Sequence, residues 1–287
     1  MESKIFMKIF NLTILFVFCL FATSLFAQKM KPEDILAKHL DSIGTTEDRA
    51  ATKSLIAVGS AEVKSITKIT TPVVGRIVIA SAGMKNFWGM NLNSTDYPSE
   101  KFSYDGKKAK VGLVKLGNRS TLGNFVQSND LMLENGLFGG TLSNSWAMLD
   151  MANRKAKLSS DGTKKINGKE AYVLSYSPKG GGDVTINLYF DKETFRHVRT
   201  EYKRISSAGI GSRPEDSTKF NENRITLTED FADFKPEGKL MLPHSYHISY
   251  LTTGNSNGST GIEWIFNLTE FAANQNLADG TFDIDAK

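Results

Sequence analysis

Four histidines occur in the 287 residues, and two of them, His244 and His247, stand three apart in Pro-His-Ser-Tyr-His. An imidazole pair can begin a metal site, but the flanking alternation reads as a strand. Residues three apart on a strand face opposite sides, so these two rings cannot close on one ion without a bulge. No third ligand stands near them, so both are read as strand histidines beside Pro243 and no metal site is expected. His197 follows Asp191 and Glu193 closely, and a histidine near carboxylates is raw material for acid–base work. The chain offers no activated nucleophile or His-Glu-x-x-His helix to accompany it. Arg196, His197, Arg199, Lys203 and Arg204 are read instead as an exposed basic strand surface, of a kind that discourages edge pairing. Neither an enzymatic activity nor a cofactor is expected.

Gly136, Gly139 and Gly140 do not form a phosphate loop, because no Lys-Ser/Thr follows them and no strand precedes them. They are read as helix stops and hinges. The formal charge of +4 is small and the Lys and Arg residues are dispersed, so a nucleic-acid partner is not expected.

The elements that must position these residues are mainly strands. Apolar–polar alternation marks strands over 55–63, 73–80, 87–92, 101–104, 108–114, 171–177, 184–190, 196–204, 225–230, 246–251 and 262–271. Asp105-Gly106, Gly180-Gly-Gly182 and Asp191-Lys-Glu-Thr194 are turn sequences between them, which makes neighbouring strands antiparallel. Val184, Ile186, Leu188 and Phe190 share one face of their strand, while Thr185, Asn187 and Tyr189 share the other, expected to be wet. Trp264, Phe266 and Leu268 alternate with Glu263, Ile265 and Asn267 in the same way. A helix with one apolar face is expected over Pro32–Gly44, with His39 beside that face, packed or solvated. Two Gly-rich loops, Ser206–Lys219 and Gly254–Gly261, are expected to be mobile.

One segment departs from this pattern. Leu122 to Leu149 holds thirteen apolar side chains and only two charges, Asp130 and Glu134. It reads as a helix over Thr121–Asn135, N-capped by Ser120 and closed by Gly136, and a second helix over Ser143–Asp150. A sheet with one greasy face needs a cover, and this hinged apolar pair is the candidate lid.

The N-terminus has the layout of a secretory signal: Lys4 and Lys8, an apolar run from Ile9 to Ala22, and Ser24-Leu-Phe-Ala27 ahead of a polar cluster. Cleavage after Ala27 would remove the single cysteine, Cys19, and with it disulfides, thiolate metal sites and a cysteine nucleophile. Without Lys4, Lys8 and Glu2 the mature chain carries 33 basic and 30 acidic residues, a net charge of +3. A cysteine-free secreted chain of this kind suits a bacterial periplasm. No linker argues for a second domain, so residues 28–287 are expected to form one domain with a helical insert over 120–150.

The order of parts resembles a known family. The Pro32-Glu-Asp-Ile-Leu-Ala-Lys-His-Leu helix, the strand opening Lys53-Ser-Leu, the Tyr104-Asp-Gly-Lys107 hairpin and the Gly136-Leu-Phe-Gly-Gly-Thr-Leu-Ser-Asn-Ser-Trp146 insert look like the periplasmic outer-membrane lipoprotein-sorting (lipoprotein carrier) superfamily. Ile166–Leu174, Leu188–Thr194, Phe231–Gly238 and Leu242-Pro-His244 resemble strands and turns of its divergent members. The likeness covers nearly the whole mature chain, and its motifs are structural rather than catalytic. It implies an α+β fold: a strongly curved antiparallel sheet, an incomplete barrel whose concave face is covered by short helices. It also implies a non-enzymatic carrier or binding protein that shields an acyl chain, lipid or lipoprotein in the cell envelope. An alternative is an envelope lipid-sensing or scaffolding module that binds another envelope protein.

Residues expected to line such a cavity come from both layers. From the insert these are Phe125, Phe138, Leu142 and Trp146. From the sheet they are Trp88, Leu188, Phe190, Trp264 and Phe266.

Overall fold

A computed structural model describes residues 30–206, 223–254 and 259–285. The segment expected to be a secretory signal and most of the two Gly-rich loops lie outside the described residues. Helices α1 (Pro32–Ile43) and α2 (Thr46–Ala51) lead into five strands: β1 (Ser54–Ser65), β2 (Val73–Ala82), β3 (Lys85–Leu92), β4 (Ser99–Tyr104) and β5 (Ala109–Val111). Seven more come after the insert: β6 (Lys157–Ile166), β7 (Lys169–Ser177), β8 (Val184–Asp191), β9 (His197–Ser206), β10 (Asn223–Glu237), β11 (Leu240–Thr253) and β12 (Thr260–Ala273). All belong to one antiparallel sheet in the order β5-β4-β3-β2-β1-β12-β11-β10-β9-β8-β7-β6. The sheet is curved but not closed into a barrel.

That order explains the apolar insert. β5 and β6 are the two edges of the twelve-stranded sheet, so the chain between them must pass from one edge to the other. The insert folds as α3 (Thr121–Gln127), α4 (Leu131–Glu134), single 3-10 turns at Gly140–Leu142 and Ala147–Asp150, and α5 (Met151–Arg154). Its first helices pack on β4 and β5, and the Gly140 turn packs on β9 and β11. A segment that crosses a greasy concave face must itself be greasy, and Leu122, Val126, Met132, Leu137, Leu142 and Trp146 are all buried there.

Several local expectations need correction. The helix over Thr121–Asn135 is interrupted after Gln127, where Ser128-Asn129-Asp130 offer side-chain bonds in competition with the helix; Asn129 Nδ2 donates to the Phe125 carbonyl at 2.7 Å. Ser120 does cap its start, accepting the Gly123 N–H at 2.7 Å. Residues 143–150 form turns rather than a helix. The strand expected over 108–114 is only Ala109–Val111, because a tight turn closed by Asn118 N–H to the Lys115 carbonyl comes next. β6 was not anticipated, since Lys-Leu-Ser-Ser-Asp-Gly-Thr-Lys-Lys-Ile lacks apolar alternation; it is an edge strand, bonded only to β7.

The outer face is not uniformly wet. Tyr189 is buried there against Ala171 and Val173, with Ile166 and Val198 alongside, and its hydroxyl donates to Glu201 at 2.9 Å. Nor do the basic residues of β9 form one exposed surface. The β8–β9 register runs Tyr189 opposite Arg199 but Phe190 opposite His197, a bulge that adds Val198. One extra residue reverses the facing of its neighbours along the strand, so Val198 joins the outer cluster while His197 turns inward and is fully buried.

Candidate ligand-binding site

Inward-facing positions of the sheet bring a continuous line of aromatic rings under the insert. Trp88 stacks on Phe102 at 5.1 Å and meets Phe138 and Phe266 edge-on at 5.8 and 5.4 Å. Phe266 touches Tyr246 (5.3 Å), Tyr246 stacks on Phe231 (5.0 Å), Phe231 meets His197 (4.8 Å), and His197 stacks on Trp146 (4.6 Å). Phe190 lies 4.7 Å from His39 at the same end. Phe125 packs beside Tyr250 at 5.9 Å, and the Trp264 Nε1–H donates to the Tyr97 hydroxyl at 3.0 Å. Leu142 and Leu188 are fully buried. All nine residues expected to line a cavity are buried, each no more than 5% exposed.

Three buried polar groups tie this interior together. His39 sits in the i, i+4, i+8 stripe Ile35, His39, Ile43, at the centre of the buried face of α1 rather than beside it. Its Nε2 is 3.0 Å from the Trp146 Nε1–H, which can only donate, so Nε2 accepts. The ring proton is then on Nδ1 and is donated to the Phe195 carbonyl at 3.0 Å. Burial pushes His39 down to about 4, which keeps it neutral as this arrangement requires. His197 is lowered as well, by burial and by the neighbouring His39, and its Nε2 lies 2.9 Å from the Thr200 hydroxyl.

Glu229 is the third group. It occupies an inward position in the alternation Ile225, Leu227, Glu229, Phe231, and accepts from the Tyr202 hydroxyl (2.8 Å), the Tyr246 hydroxyl (2.6 Å) and the Gly139 N–H (2.7 Å). Burial raises it to about 7, outweighing the three donors that favour its charged form. His39, His197 and Glu229 were not anticipated as interior groups. The 3.6 period of α1 and the alternation of β10 carry the signal for the first and last, whereas the bulge that turns His197 has none.

His197 does not pair with the carboxylates that precede it in the sequence. Asp191 spends its Oδ1 on the Glu193 and Thr194 N–H groups and the Thr194 hydroxyl of its own turn, away from His197. His244 Nε2 lies 3.0 Å from Glu237 at an angle that makes no hydrogen bond. A formal Gly-x-Ser-x-Gly run occurs at 254–258, and all of it but Gly254 lies outside the described residues. Among the described residues no three His, Cys, Asp or Glu side chains converge as a metal site.

Two recesses reach the edge of the aromatic interior. The larger, about 470 Å³, opens between α1, α2, the start of β1, the β2–β3 turn and the insert. Leu40, Ile43, Leu55 and Leu149 form its apolar wall, and Trp146 is the core residue it reaches. The second, about 400 Å³, is lined by Tyr97, Arg119, Ser120 and Trp264. Of the nine expected lining residues, Trp146 and Trp264 border these openings and the other seven are enclosed.

The chain is similar in fold to several proteins of known structure. A LolA superfamily protein from Nitrosomonas europaea matches 89% of the chain over 99% of its own length, at 13% identity and a TM-score of 0.45. A DUF1329 family protein from Desulfovibrio piger matches 90% over 99% of its length, at 11% identity and a TM-score of 0.46. A domain described as an outer membrane lipoprotein-sorting protein, from Vibrio parahaemolyticus, matches 86% over 97% of its length, at 15% identity and a TM-score of 0.43. No family model matches the chain, and no curated protein does. Likeness this distant concerns architecture and carries nothing about ligand or partner. No helix among the described residues is long and apolar enough to cross a membrane.

Proposed function

We propose that this is a non-enzymatic carrier or binding protein, exported to the periplasm, that holds an acyl chain of a lipid or lipoprotein between the concave face and the insert. The observation that carries this reading is the recess of about 470 Å³, whose apolar wall runs into the Trp146 end of the aromatic interior. Its volume falls in the range of small-molecule sites, about 300–1,000 Å³. Each methylene withdrawn from water there would contribute about 0.8 kcal/mol. The aromatic rings beyond Trp146 are buried in contact with one another, so a longer chain enters only if the insert yields. The test is native mass spectrometry with lipid extraction on protein purified from the periplasm, together with binding of fluorescent fatty-acyl probes. A co-purifying lipid and saturable probe binding are expected. Consistent recovery of ligand-free protein that also ignores the probes would overturn the reading.

A second reading, a lipid-sensing or scaffolding module that binds another envelope protein, is favoured by two strand edges, β5 and β6, each paired on one side only. It becomes the better account if the probes fail and an envelope protein co-purifies along one of those edges.

A further inference from the structure

We infer that the large recess selects a single-chain amphiphile with a carboxylate head, the chain lying against Leu40, Ile43, Leu55 and Leu149 and the head between Lys53 and Arg154. The inference rests on the acyl-binding reading and adds the class of ligand.

The wall of the recess is divided. Its apolar side chains come from α1, β1 and the insert, while Arg49, Lys53 and Arg154 bring three positive charges against the single negative charge of Asp150. The three cations differ in what already satisfies them. Arg49 caps α1: it donates to the Leu40 carbonyl at 2.6 Å, to the Gly44 carbonyl and to the Thr46 hydroxyl, and lies 3.9 Å from Asp41. It is committed to the helix end and lends only its field.

Arg154 is placed differently. It donates to the Glu134 carbonyl at 3.0 Å and the Ser145 carbonyl at 2.7 Å, both neutral acceptors. Among the described residues no carboxylate lies within ion-pair distance of it, and its buried Nε–H has no acceptor. A guanidinium drawn partly out of water, with only the field of the unbonded Asp150 carboxylate as counter-charge, is a receptor for an anion, since charge-assisted bonds are about twice as strong as neutral ones. Lys53, exposed at the rim, likewise has no carboxylate partner among the described residues. The Thr141 hydroxyl, on a residue only 6% exposed, is a further polar group of the wall without a partner. A head carrying one negative charge and two acceptor oxygens answers Arg154 and Lys53 together. A neutral alcohol would answer neither charge, and an ammonium head would be repelled.

The test compares dodecanoate, dodecanol and dodecyltrimethylammonium, each below its micellar concentration, by calorimetry on the delipidated mature protein. Dodecanoate is expected to bind at least about ten-fold more tightly than dodecanol, and dodecyltrimethylammonium most weakly, with the spread shrinking as salt screens the head. Lys53→Glu, at an exposed position, is expected to remove most of the dodecanoate preference while leaving dodecanol binding in place. Arg154→Gln is expected to do the same and is read only if its circular dichroism matches the parent. Equal affinity for the three heads, or a dodecanoate preference untouched by Lys53→Glu, overturns the inference and leaves the acyl-binding reading standing. Failure of all three to bind overturns both.

Discussion

Glu229 Oε2 accepts the Gly139 N–H at 2.7 Å, so a fully buried carboxylate of β10 holds the glycine hinge of the insert against the sheet. The same carboxyl group gathers the hydroxyls of Tyr202 from β9 and Tyr246 from β11. One acid thus organises three adjacent strands and the segment that covers them. Buried polar networks of this kind stabilise when every member is satisfied and destabilise when one is not.

Burial raises Glu229 to about 7 from an ordinary 4.5, so the folded protein holds this proton more tightly than the unfolded chain does. Stability from this group is therefore greatest at low pH and declines as pH rises from 4.5 through about 7. Glu229→Gln removes the titration but keeps a side-chain acceptor. The stability difference between parent and variant, from urea unfolding at several pH values, should shift against the parent by about 3 kcal/mol between pH 5 and pH 8. A difference that stays constant over that range would show that Glu229 titrates normally.

Gly136 and Gly139 both have positive φ, 61° and 81°, but their surroundings differ. A Cβ on Gly136 would fall 1.7 Å from the Ser145 carbonyl oxygen, whereas one on Gly139 would meet nothing within 4 Å. Gly139→Ala should cost only the left-handed backbone penalty, about 1–2 kcal/mol. Gly136→Ala adds a clash with backbone that cannot step aside, and should cost more than about 3 kcal/mol in chemical denaturation. Equal losses would mean that the chain around Ser145 is free to move.

Periodic features were legible in the sequence, and features made by distant segments were not. Val184 to Phe190 and Trp264 to Leu268 announce their strands because each face has one environment to satisfy, and Asp105-Gly106 announces its hairpin through the positive φ of Gly106, 94°. The insert announces that it covers something but not that it spans the sheet, because the placing of β5 and β6 at opposite edges is a property of the whole strand order. β6 is silent because an exposed edge needs no apolar face. Of the candidate site, Trp146 and Leu149 belong to the conspicuous apolar segment, while Lys53 and Arg154 come from separate parts of the chain that meet only at the recess.

The His39–Trp146 bond makes the opposite pH response to Glu229. Burial lowers His39 to about 4 from 6.5, so the unfolded chain takes up this proton first. Stability from this group is complete above pH 6.5 and is lost as pH falls toward 4, by about 3 kcal/mol. Protonation would also set an Nε2–H against the indole N–H that it now accepts. Nitrogen-15 spectra of labelled histidine should show His39 neutral and protonated on Nδ1 at pH 5.5. A titration midpoint near 6.5 would mean that the site is wetter than its burial implies.

Trp146 is the residue shared by the aromatic interior and the large recess, so it separates packing from ligand contact. Trp146→Phe keeps an aromatic ring but leaves His39 without its donor, and should lower stability by about 1–3 kcal/mol with little change in acyl-probe affinity. Trp146→Asp places a charge at a fully buried position, so its effect on binding counts only if near-ultraviolet dichroism shows a folded protein. Leu149→Asp avoids that difficulty, because Leu149 is 38% exposed on the recess wall and a charge there keeps contact with water. If the chain of the ligand lies on this wall, both Asp variants should weaken probe binding about ten-fold or more, far beyond the effect of Trp146→Phe. Equal and negligible effects of all three would place the ligand elsewhere, with the smaller recess beside Trp264 as the next surface to probe.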